Sequence, residues 1–215
     1  RCSMPPMHKT IALKLVGGLS TTSKMPGPSY GLPTEACLTG AKLAKVPGTV
    51  CSNCYAMKGY YRTFGSTVIP AQQRRLSSIS EPQWIEAMVV LLKKERWFRW
   101  FDSGDLQSTQ MLLDIFEIAR QTPHCNHWLA TRERTFVREA LAVSHTPDNL
   151  VVRVSATFPD VPVREMYLDG VNYANVHKNE PPIGHECMAP KQNGKCDLCR
   201  TCWDRNVKEV SYAEH

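Results

Sequence analysis

The chain has 215 residues, 42% of them hydrophobic, which is enough for one hydrophobic core and at most a small appended lobe. No apolar run approaches the ~20 residues of a membrane-spanning helix, so the sequence predicts no membrane partner. A formal net charge of +6, from 26 basic and 20 acidic residues, is modest. Nucleic-acid-binding proteins are often basic, but so are proteins that hold anionic clusters, and charge alone does not separate these classes.

Cysteine usage indicates metal binding. The chain has nine cysteines, and its beginning lacks the long apolar segment that directs export. Cysteines of an unexported protein stay reduced, and an odd count does not favour a disulfide framework. We therefore expect a cytoplasmic protein whose thiols bind metal.

The first 35 residues are predicted to be irregular, because Met4-Pro-Pro6 and Met25-Pro-Gly-Pro28 are clusters of structure-breaking residues. The one short apolar run between them, Ile11–Val16, is predicted to be a strand. We expect a turn where this run ends, at Gly17-Gly18.

Cys37 and the pair Cys51-Ser-Asn-Cys54 form the N-terminal cysteine group. Their spacing is compatible with a zinc knuckle or with three corners of an iron–sulfur cluster. Cys2 and Cys125 belong to no group, and either would supply a fourth ligand; Cys125 is equally expected to be a buried apolar residue. If neither reaches the group, the site keeps an open position, as catalytic metal sites generally do.

From Ser80 onward, helical and strand-like patterns alternate. Ser80-Glu-Pro-Gln83 is typical of a capping box that opens a helix. The periodicity then predicts this helix up to Lys93-Lys94, a strand over Trp97–Phe101, a helix over about residues 106–121, a strand over His127–Thr131, a helix from Thr135 to about Val143, and strands over Leu150–Thr157 and Val171–His177.

Strands that alternate with helices at this spacing predict parallel β-α units and an α/β fold. We expect one domain over residues 1–215, shaped as a partial or irregular parallel barrel. An irregular cysteine-bearing region over residues 1–60 and a cysteine-rich segment over residues 180–215 would complete it. Both cysteine groups would lie at or near the carboxyl ends of the strands, where the chemistry of such folds gathers.

Three side chains that follow predicted strands are candidates for a substrate pocket. Asp102 and Asp105 flank a Ser-Gly turn and would accept protons, while Arg132 would bind an anionic group. The competing interpretation is that Asp105, together with Ser108, only caps the following helix.

The C-terminal cysteine group comprises Cys187, Cys196, Cys199 and Cys202. The C-x2-C-x2-C spacing of its last three members opens the ligand run of bacterial ferredoxins, and Cys187 would be the outlying ligand. The spacing therefore predicts a [4Fe-4S] cluster. Zinc is the alternative, although it usually takes two separated C-x2-C pairs and is crowded by three ligands from one short loop. Four nearby cations would offset the negative charge of the cluster: Lys191, Lys195, Arg200 and Arg205.

Cys51-x2-Cys54-Tyr-Ala, together with Phe98-Arg-Trp-Phe-Asp102-Ser-Gly-Asp105 and the cysteine-rich tail, resembles the bacteriophage "gene product 88" family over roughly residues 25–205. The resemblance implies a phage-encoded protein in the cytoplasm of an infected host cell, ligated to metal through cysteines, with no established activity to carry over. The layout is also similar to a shortened radical S-adenosylmethionine barrel, but C-x3-C-x2-C is replaced by Cys37-x13-Cys51-x2-Cys54.

These observations favour an iron–sulfur protein that acts as a redox or radical-type enzyme on a small-molecule substrate, or with an electron donor. The C-terminal group would hold one cluster and the N-terminal group a second. A non-catalytic electron carrier is one alternative. The other is a zinc-stabilised nucleic-acid-binding module, in which Trp97 and Trp100 would stack on bases beside Arg74-Arg75, Lys93-Lys94, Arg96 and Arg99.

Overall fold

The structure is a computed structural model that describes residues 6–58, 60–163 and 168–214, with the backbone alone for Tyr60 and Arg62. Cys2, one of the two candidate fourth ligands, lies outside the described residues.

One eight-stranded sheet organises the protein, in the order β1-β2-β3-β4-β5-β6-β8-β7. Only the β1–β2 pair is antiparallel, and the other neighbouring strands run parallel. The mixed α/β fold is therefore confirmed. The barrel is not confirmed, because among the described residues the strand order ends at β1 on one side and at β7 on the other. The strands are β1 Ser20–Thr21, β2 Pro28–Tyr30, β3 Trp97–Trp100, β4 Asn126–Thr131, β5 Leu150–Ser155, β6 Asn172–His177, β7 His185–Glu186 and β8 Glu209–Ala213.

The helices supply half of the buried apolar core. They are α1 Lys9–Val16, α2 Leu38–Leu43, α3 Tyr60–Thr63, α4 Gly65–Ser78, α5 Trp84–Leu92, α6 Thr109–Gln121 and α7 Arg134–Val143. Successive strand side chains point to opposite faces of the sheet. Phe98 and Trp100 of β3 belong to the core formed with the helices. Trp97 and Trp128 instead contact Trp203, so the C-terminal segment covers the other face.

None of the helices in the described part of the chain has both the length and the hydropathy that crossing a bilayer requires.

The predicted strand over Ile11–Val16 is wrong, because these residues lie in α1. Ala12 and Val16, one helical turn apart, are the buried residues of this helix. A six-residue apolar run has no periodicity that separates a strand from a buried helix, which explains the error. The predicted turn is confirmed: Gly17 ends α1 in the left-handed conformation, with φ 76°.

The regular elements predicted between Trp84 and His177 are confirmed, with small shifts at their ends. The capping box does not form as predicted, since α5 begins at Trp84 after Gln83, whose side chain makes no capping hydrogen bond. The sequence pattern missed α4, whose buried residues are the polar Gln72, Arg75 and Ser78. It also missed the strands inside the two segments expected to be irregular or purely metal-binding: β1, β2, β7 and β8.

His127 of β4 makes a buried polar contact chain inside the core. Its Nδ1 accepts a hydrogen bond from Trp100 Nε1 at 3.1 Å, and its Nε2 lies 2.8 Å from Thr122 Oγ1. Thr122 Oγ1 donates to the Ile118 carbonyl at 2.8 Å, so Nε2 carries the proton of a neutral imidazole. Burial lowers the pKa of His127 to about 3, and the charge of His124 contributes.

We predict that this histidine makes the protein sensitive to acid. An unfolded histidine binds a proton below about pH 6.5, whereas folded His127 stays neutral until about pH 3. The unfolded state therefore binds more protons in this window, and the free energy of unfolding falls as the pH drops from about 6.5 towards 3, by on the order of 4 kcal/mol in total.

Denaturant unfolding between pH 4 and 7.5 tests this. His127→Leu should be less stable than the parent at pH 7, because Trp100 Nε1 loses its acceptor, but its stability should depend less on pH. His145→Gln, which removes an exposed histidine, is the control and should keep the parent slope. An unchanged slope in His127→Leu would contradict the prediction.

Candidate metal centre

Cys37 is held at the carboxyl end of β4. It immediately precedes α2, and Thr39 of that helix donates from its backbone N to Glu133 Oε1 at 2.7 Å and from Oγ1 to Glu133 Oε2 at 2.8 Å. Glu133 lies two residues beyond β4 and is buried. One carboxylate therefore fixes the start of the cysteine-bearing helix to the sheet.

Cys51 and Cys54 are held at the carboxyl ends of two further strands. Val50 N donates to the carbonyl of Thr157, beyond β5, at 2.9 Å. Tyr55 Oη donates to the carbonyl of Asp102, beyond β3, at 2.5 Å. The segments that carry the N-terminal cysteine group are thus bonded to the ends of three adjacent strands, β3, β4 and β5.

The sulfur atoms of Cys37 and Cys51 border one small space. A Cβ atom added to Gly40 would lie 3.6 Å from Cys37 Sγ and 3.7 Å from Cys51 Sγ. Burial raises the pKa of Cys37 to about 12, and the charges of Asp105, Cys54 and Cys51 raise it further. Burial also raises the pKa of Cys51, opposed by the charge of Arg132. The thiols of this group therefore lie within electrostatic range of one another, and burial favours the neutral form of Cys37 and Cys51.

Asp105 joins the loop after β3 to the end of β4. Its Oδ1 accepts from Thr131 Oγ1 at 2.5 Å and from Leu106 N at 2.7 Å, and its Oδ2 accepts from Arg132 N at 2.9 Å. Burial raises the pKa of Asp105 to about 6 despite these hydrogen bonds. Ser108, not Asp105, caps α6, by accepting from Met111 N at 3.0 Å. The structure thus brings Asp105 and Arg132 beside Cys37 and Cys51; their catalytic roles stay predictions.

Asp102 is buried at the end of β3, with its carboxylate incompletely paired. Oδ2 accepts from Tyr61 Oη at 3.1 Å, whereas Oδ1 has no hydrogen-bond partner among the described residues. Next to it, Ser103 Oγ accepts from Gln72 Nε2 at 2.7 Å. The sequence analysis missed Tyr61 and Gln72, because neither follows a predicted strand or belongs to a motif.

The C-terminal cysteine group lines a single cavity. All four of its thiols, those of Cys187, Cys196, Cys199 and Cys202, border this space. Burial raises the pKa of Cys202 to about 11, although Tyr212 Oη lies 3.1 Å from its sulfur and opposes the rise. Burial also raises the pKa of Cys196. The four residues of this group therefore line one cavity, and their role as metal ligands stays a prediction.

The segment around Cys202 is bonded to the sheet face by Arg153, a fully buried residue of β5. Its guanidinium donates to the carbonyls of Thr201 at 3.1 Å, Cys202 at 3.2 Å and Asp204 at 3.0 Å. Trp203 Nε1 donates to the Phe98 carbonyl at 2.9 Å. The C-terminal group therefore lies over one face of the sheet, and hydrogen bonds from two strands hold it there.

The cations around the C-terminal group differ from those expected. Arg205 bonds Asp148 at 3.2 Å, and Lys191 pairs with Glu186 at 2.9 Å. The charges that oppose the rise in the thiol pKa values come from outside the segment: Lys24 and Arg99 act on Cys196, and Arg153, ahead of Arg99, acts on Cys202. No sequence pattern indicates these charges, since Lys24 and Arg99 lie far from these cysteines along the chain.

Within residues 6–58, 60–163 and 168–214, no three His, Cys, Asp or Glu side chains are arranged to hold a metal ion. The assignment of both cysteine groups as metal ligands therefore stays a prediction. Cys125 is fully buried in the apolar core and precedes β4 at its amino end, whereas the N-terminal group lies at the carboxyl ends. Cys125 therefore lies at the opposite end of the strands from that group and does not complete it.

The stacking surface expected of a nucleic-acid-binding module is not formed. Trp100 is fully buried, and Trp97 packs against Trp203 with ring centroids 5.6 Å apart. Arg75, one of the expected phosphate contacts, is buried and donates to the carbonyl of Gly31 at 3.1 Å. Trp100 and Arg75 are therefore buried within the fold, while nucleic-acid binding itself stays untested.

The fold and the two sites define an α/β protein with two separate cysteine groups, one at the carboxyl ends of the strands and one on a sheet face. A family model described as "Gene product 88" matches residues 10–205, and the chain belongs to this family. The comparisons with curated proteins and with solved structures give no match.

We predict that Gly31→Ala destabilises the protein by about 2 kcal/mol. A Cβ at this position would lie 2.5 Å from Asp102 Oδ1 and 2.9 Å from Ser103 Oγ, so the buried turn after β3 would have to shift. Gly65→Ala is the control: its Cβ would meet only Ile69 Cδ1 at 3.4 Å, and alanine favours the helix. Denaturant unfolding measures both, and equal stabilities of the two variants would contradict the prediction.

Proposed function

We propose that this protein is an iron–sulfur protein that carries a [4Fe-4S] cluster on the C-terminal cysteine group. The observation that supports the proposal is that all four thiols of this group line one cavity. A cluster of this type takes four thiolates, and C-x2-C-x2-C is a ligand spacing that it uses. The overlapping triple suits zinc less well, because zinc usually takes its cysteines as two separated pairs.

The environment of the cavity suits an anionic group. Lys24 and Arg99 bring positive charge to it, and Tyr212 Oη and Thr201 Oγ1 lie 3.1 and 3.3 Å from the sulfurs of Cys202 and Cys199. Hydroxyl groups that donate to thiolate sulfur stabilise the reduced cluster. The thiols lose their protons when metal binds, and the binding free energy draws them together at the same time.

The chemistry that such a cluster supplies is the transfer of single electrons. We propose a redox or radical-type enzyme whose small-molecule substrate binds at the carboxyl ends of the strands. Asp102, Asp105 and Arg132 lie there, and the buried Oδ1 of Asp102, which has no partner among the described residues, supports a role for this carboxylate. Both oxygens of Asp105 already accept hydrogen bonds, which favours a positioning role for it.

Replacing single cysteines of the C-terminal group tests the proposal. Protein purified without oxygen should be brown, with broad visible absorption and stoichiometric iron and sulfide. Cys196→Ala and Cys199→Ala should each lose iron from this cluster and loosen the C-terminal segment, because each removes one of the four thiolates that hold it. Cys125→Ala, which removes a core thiol outside both groups, is the control and should keep it. Colourless protein with stoichiometric zinc would overturn the proposal in favour of a zinc site.

The charge on Lys24 should tune the reduction potential of the cluster. Lys24→Gln should lower the potential, because removing a nearby positive charge disfavours the added electron, while iron content stays the same. Lys24 is exposed, so the shift should shrink as the ionic strength rises. Lys195→Gln, next to Cys196 in sequence and also exposed but not among the main charges that act on its thiol, is the matched control and should change the potential less. Redox titration followed by visible absorption measures both, and equal shifts would show that Lys24 has no special position.

A further inference from the structure

We propose that Cys37, Cys51 and Cys54 form a second iron–sulfur centre that holds a [4Fe-4S] cluster with one iron free of protein thiolate, open to a small anionic ligand. This centre shares no residue with the C-terminal cysteine group. A four-iron cluster offers each thiolate a separate iron, so the three sulfurs need not meet at one point.

The segment that carries the three cysteines is hydrogen-bonded to the ends of three strands without using a thiol. Thr39, Val50 and Tyr55, each next or next but one to a cysteine of the group, are hydrogen-bonded to the ends of β4, β5 and β3 respectively. These bonds use backbone atoms and neighbouring side chains, and leave the three thiols without a role in them. The three cysteines are therefore held in place while their thiols remain available, which preorganises them to bind a cofactor.

The segment over residues 37–58 buries few of its own apolar side chains. Between residues 37 and 58 only Thr49, Cys51 and Ala56 are buried. Four large apolar side chains of the same stretch are instead exposed: Leu38, Val46, Tyr55 and Met57. Short segments of this kind commonly gain their stability from bound metal, because ligation replaces the missing hydrophobic burial.

A glycine lies beside the sulfur atoms of Cys37 and Cys51. Gly40 lies against both Cys37 and Cys51: the Cβ that it lacks would lie 3.1 Å from Cys37 Cβ, closer than ordinary contact, and 3.6 and 3.7 Å from the sulfur atoms of Cys37 and Cys51. A larger residue here would direct its side chain into the space that the two sulfurs border. Glycine keeps this space clear for a bound group.

The surroundings point to an open iron and to the class of its ligand. Cys125 is excluded as a fourth thiolate by its place at the opposite end of β4. Both oxygens of the Asp105 carboxylate are bonded within the protein, and the positive charge of Arg132 acts on Cys51 more strongly than the negative charge of either Asp105 or Glu133. A small anion is therefore the ligand that this site favours, and cyanide is a suitable probe.

The experiment separates the two centres. The parent protein should contain about eight iron atoms per chain, and a Cys196→Ala/Cys199→Ala double variant about four, all of them in the second centre. Cys54→Ala should also keep about four, in the C-terminal cluster. Cyanide added to the reduced protein should change the electron paramagnetic resonance spectrum of the double variant and leave that of Cys54→Ala unchanged.

Each result decides the matter. A double variant without iron would overturn the second centre, even if the C-terminal cluster of the proposed function is present. Loss of this iron in Cys2→Ala, or no response to cyanide, would show a closed site and overturn the open iron. Conversely, iron retained by the double variant together with zinc or no metal in Cys54→Ala would support this centre and contradict the proposed function.

A variant that keeps every thiol guards against simple misfolding. Gly40→Val should lose the iron of the second centre and keep that of the C-terminal cluster, because its side chain enters the space beside the sulfurs. Ala41→Val, with the same side chain at the next position of α2, is the matched control and should keep both. Circular dichroism checks that each variant is folded, and full iron content in Gly40→Val would contradict the proposal.

Discussion

Hydrogen bonds to the sheet, instead of apolar cores of their own, hold both cysteine-bearing segments of this protein. Arg153, fully buried on β5, donates to three carbonyls of the segment that carries Cys202. Glu133, buried just beyond β4, receives two hydrogen bonds from Thr39. A charged group buried away from water is costly unless hydrogen bonds satisfy it, so each of these residues stabilises one arrangement of its segment and penalises others. These two residues help to position both cysteine groups, together with the hydrogen bonds that Val50 and Tyr55 make to the ends of β5 and β3.

Strand β3 connects the core with both cysteine groups. Alternation along the strand sends Phe98 and Trp100 into the core and Trp97 and Arg99 to the opposite face. There the Arg99 guanidinium stacks over the ring of Trp128 at 4.5 Å and donates to Tyr55 Oη at 3.4 Å. Its positive charge also opposes the rise that burial causes in the pKa values of Cys196 and Cys202. Because Tyr55 is next to Cys54, Arg99 connects the two cysteine groups. Its charge acts on the thiols of the C-terminal group, and its hydrogen bond holds the segment of the N-terminal group.

The strands and helices with strong periodicity could be predicted from the sequence, and those held by polar contacts could not. The four residues of β3 and the helix α6 follow clear patterns of burial. By contrast, α4 buries Gln72 and Arg75, which a hydropathy pattern assigns to the surface, and β8 enters the sheet through its pairing with β6, which no local pattern encodes. The spacing of the cysteines predicted the two groups. It did not predict Glu133 or Lys24, because such partners are brought near only by the folded chain.

The two motifs that indicated the family, Cys51-x2-Cys54-Tyr-Ala and Asp-Ser-Gly-Asp, contact each other in the fold. Tyr55, which follows the C-x2-C pair, donates to the carbonyl of Asp102, which opens Asp-Ser-Gly-Asp. Asp105, which closes the same motif, accepts from Arg132 N and so connects the turn to the end of β4, where Glu133 holds the helix after Cys37. Gly104 lies within this turn at φ 73°, and a Cβ there would lie 2.7 Å from the Leu32 carbonyl oxygen, so only glycine allows the turn to pack so closely. Asp102 and Asp105 of Asp-Ser-Gly-Asp therefore help to position the N-terminal cysteine group, and the motif belongs to the thiol site even though it contains no cysteine.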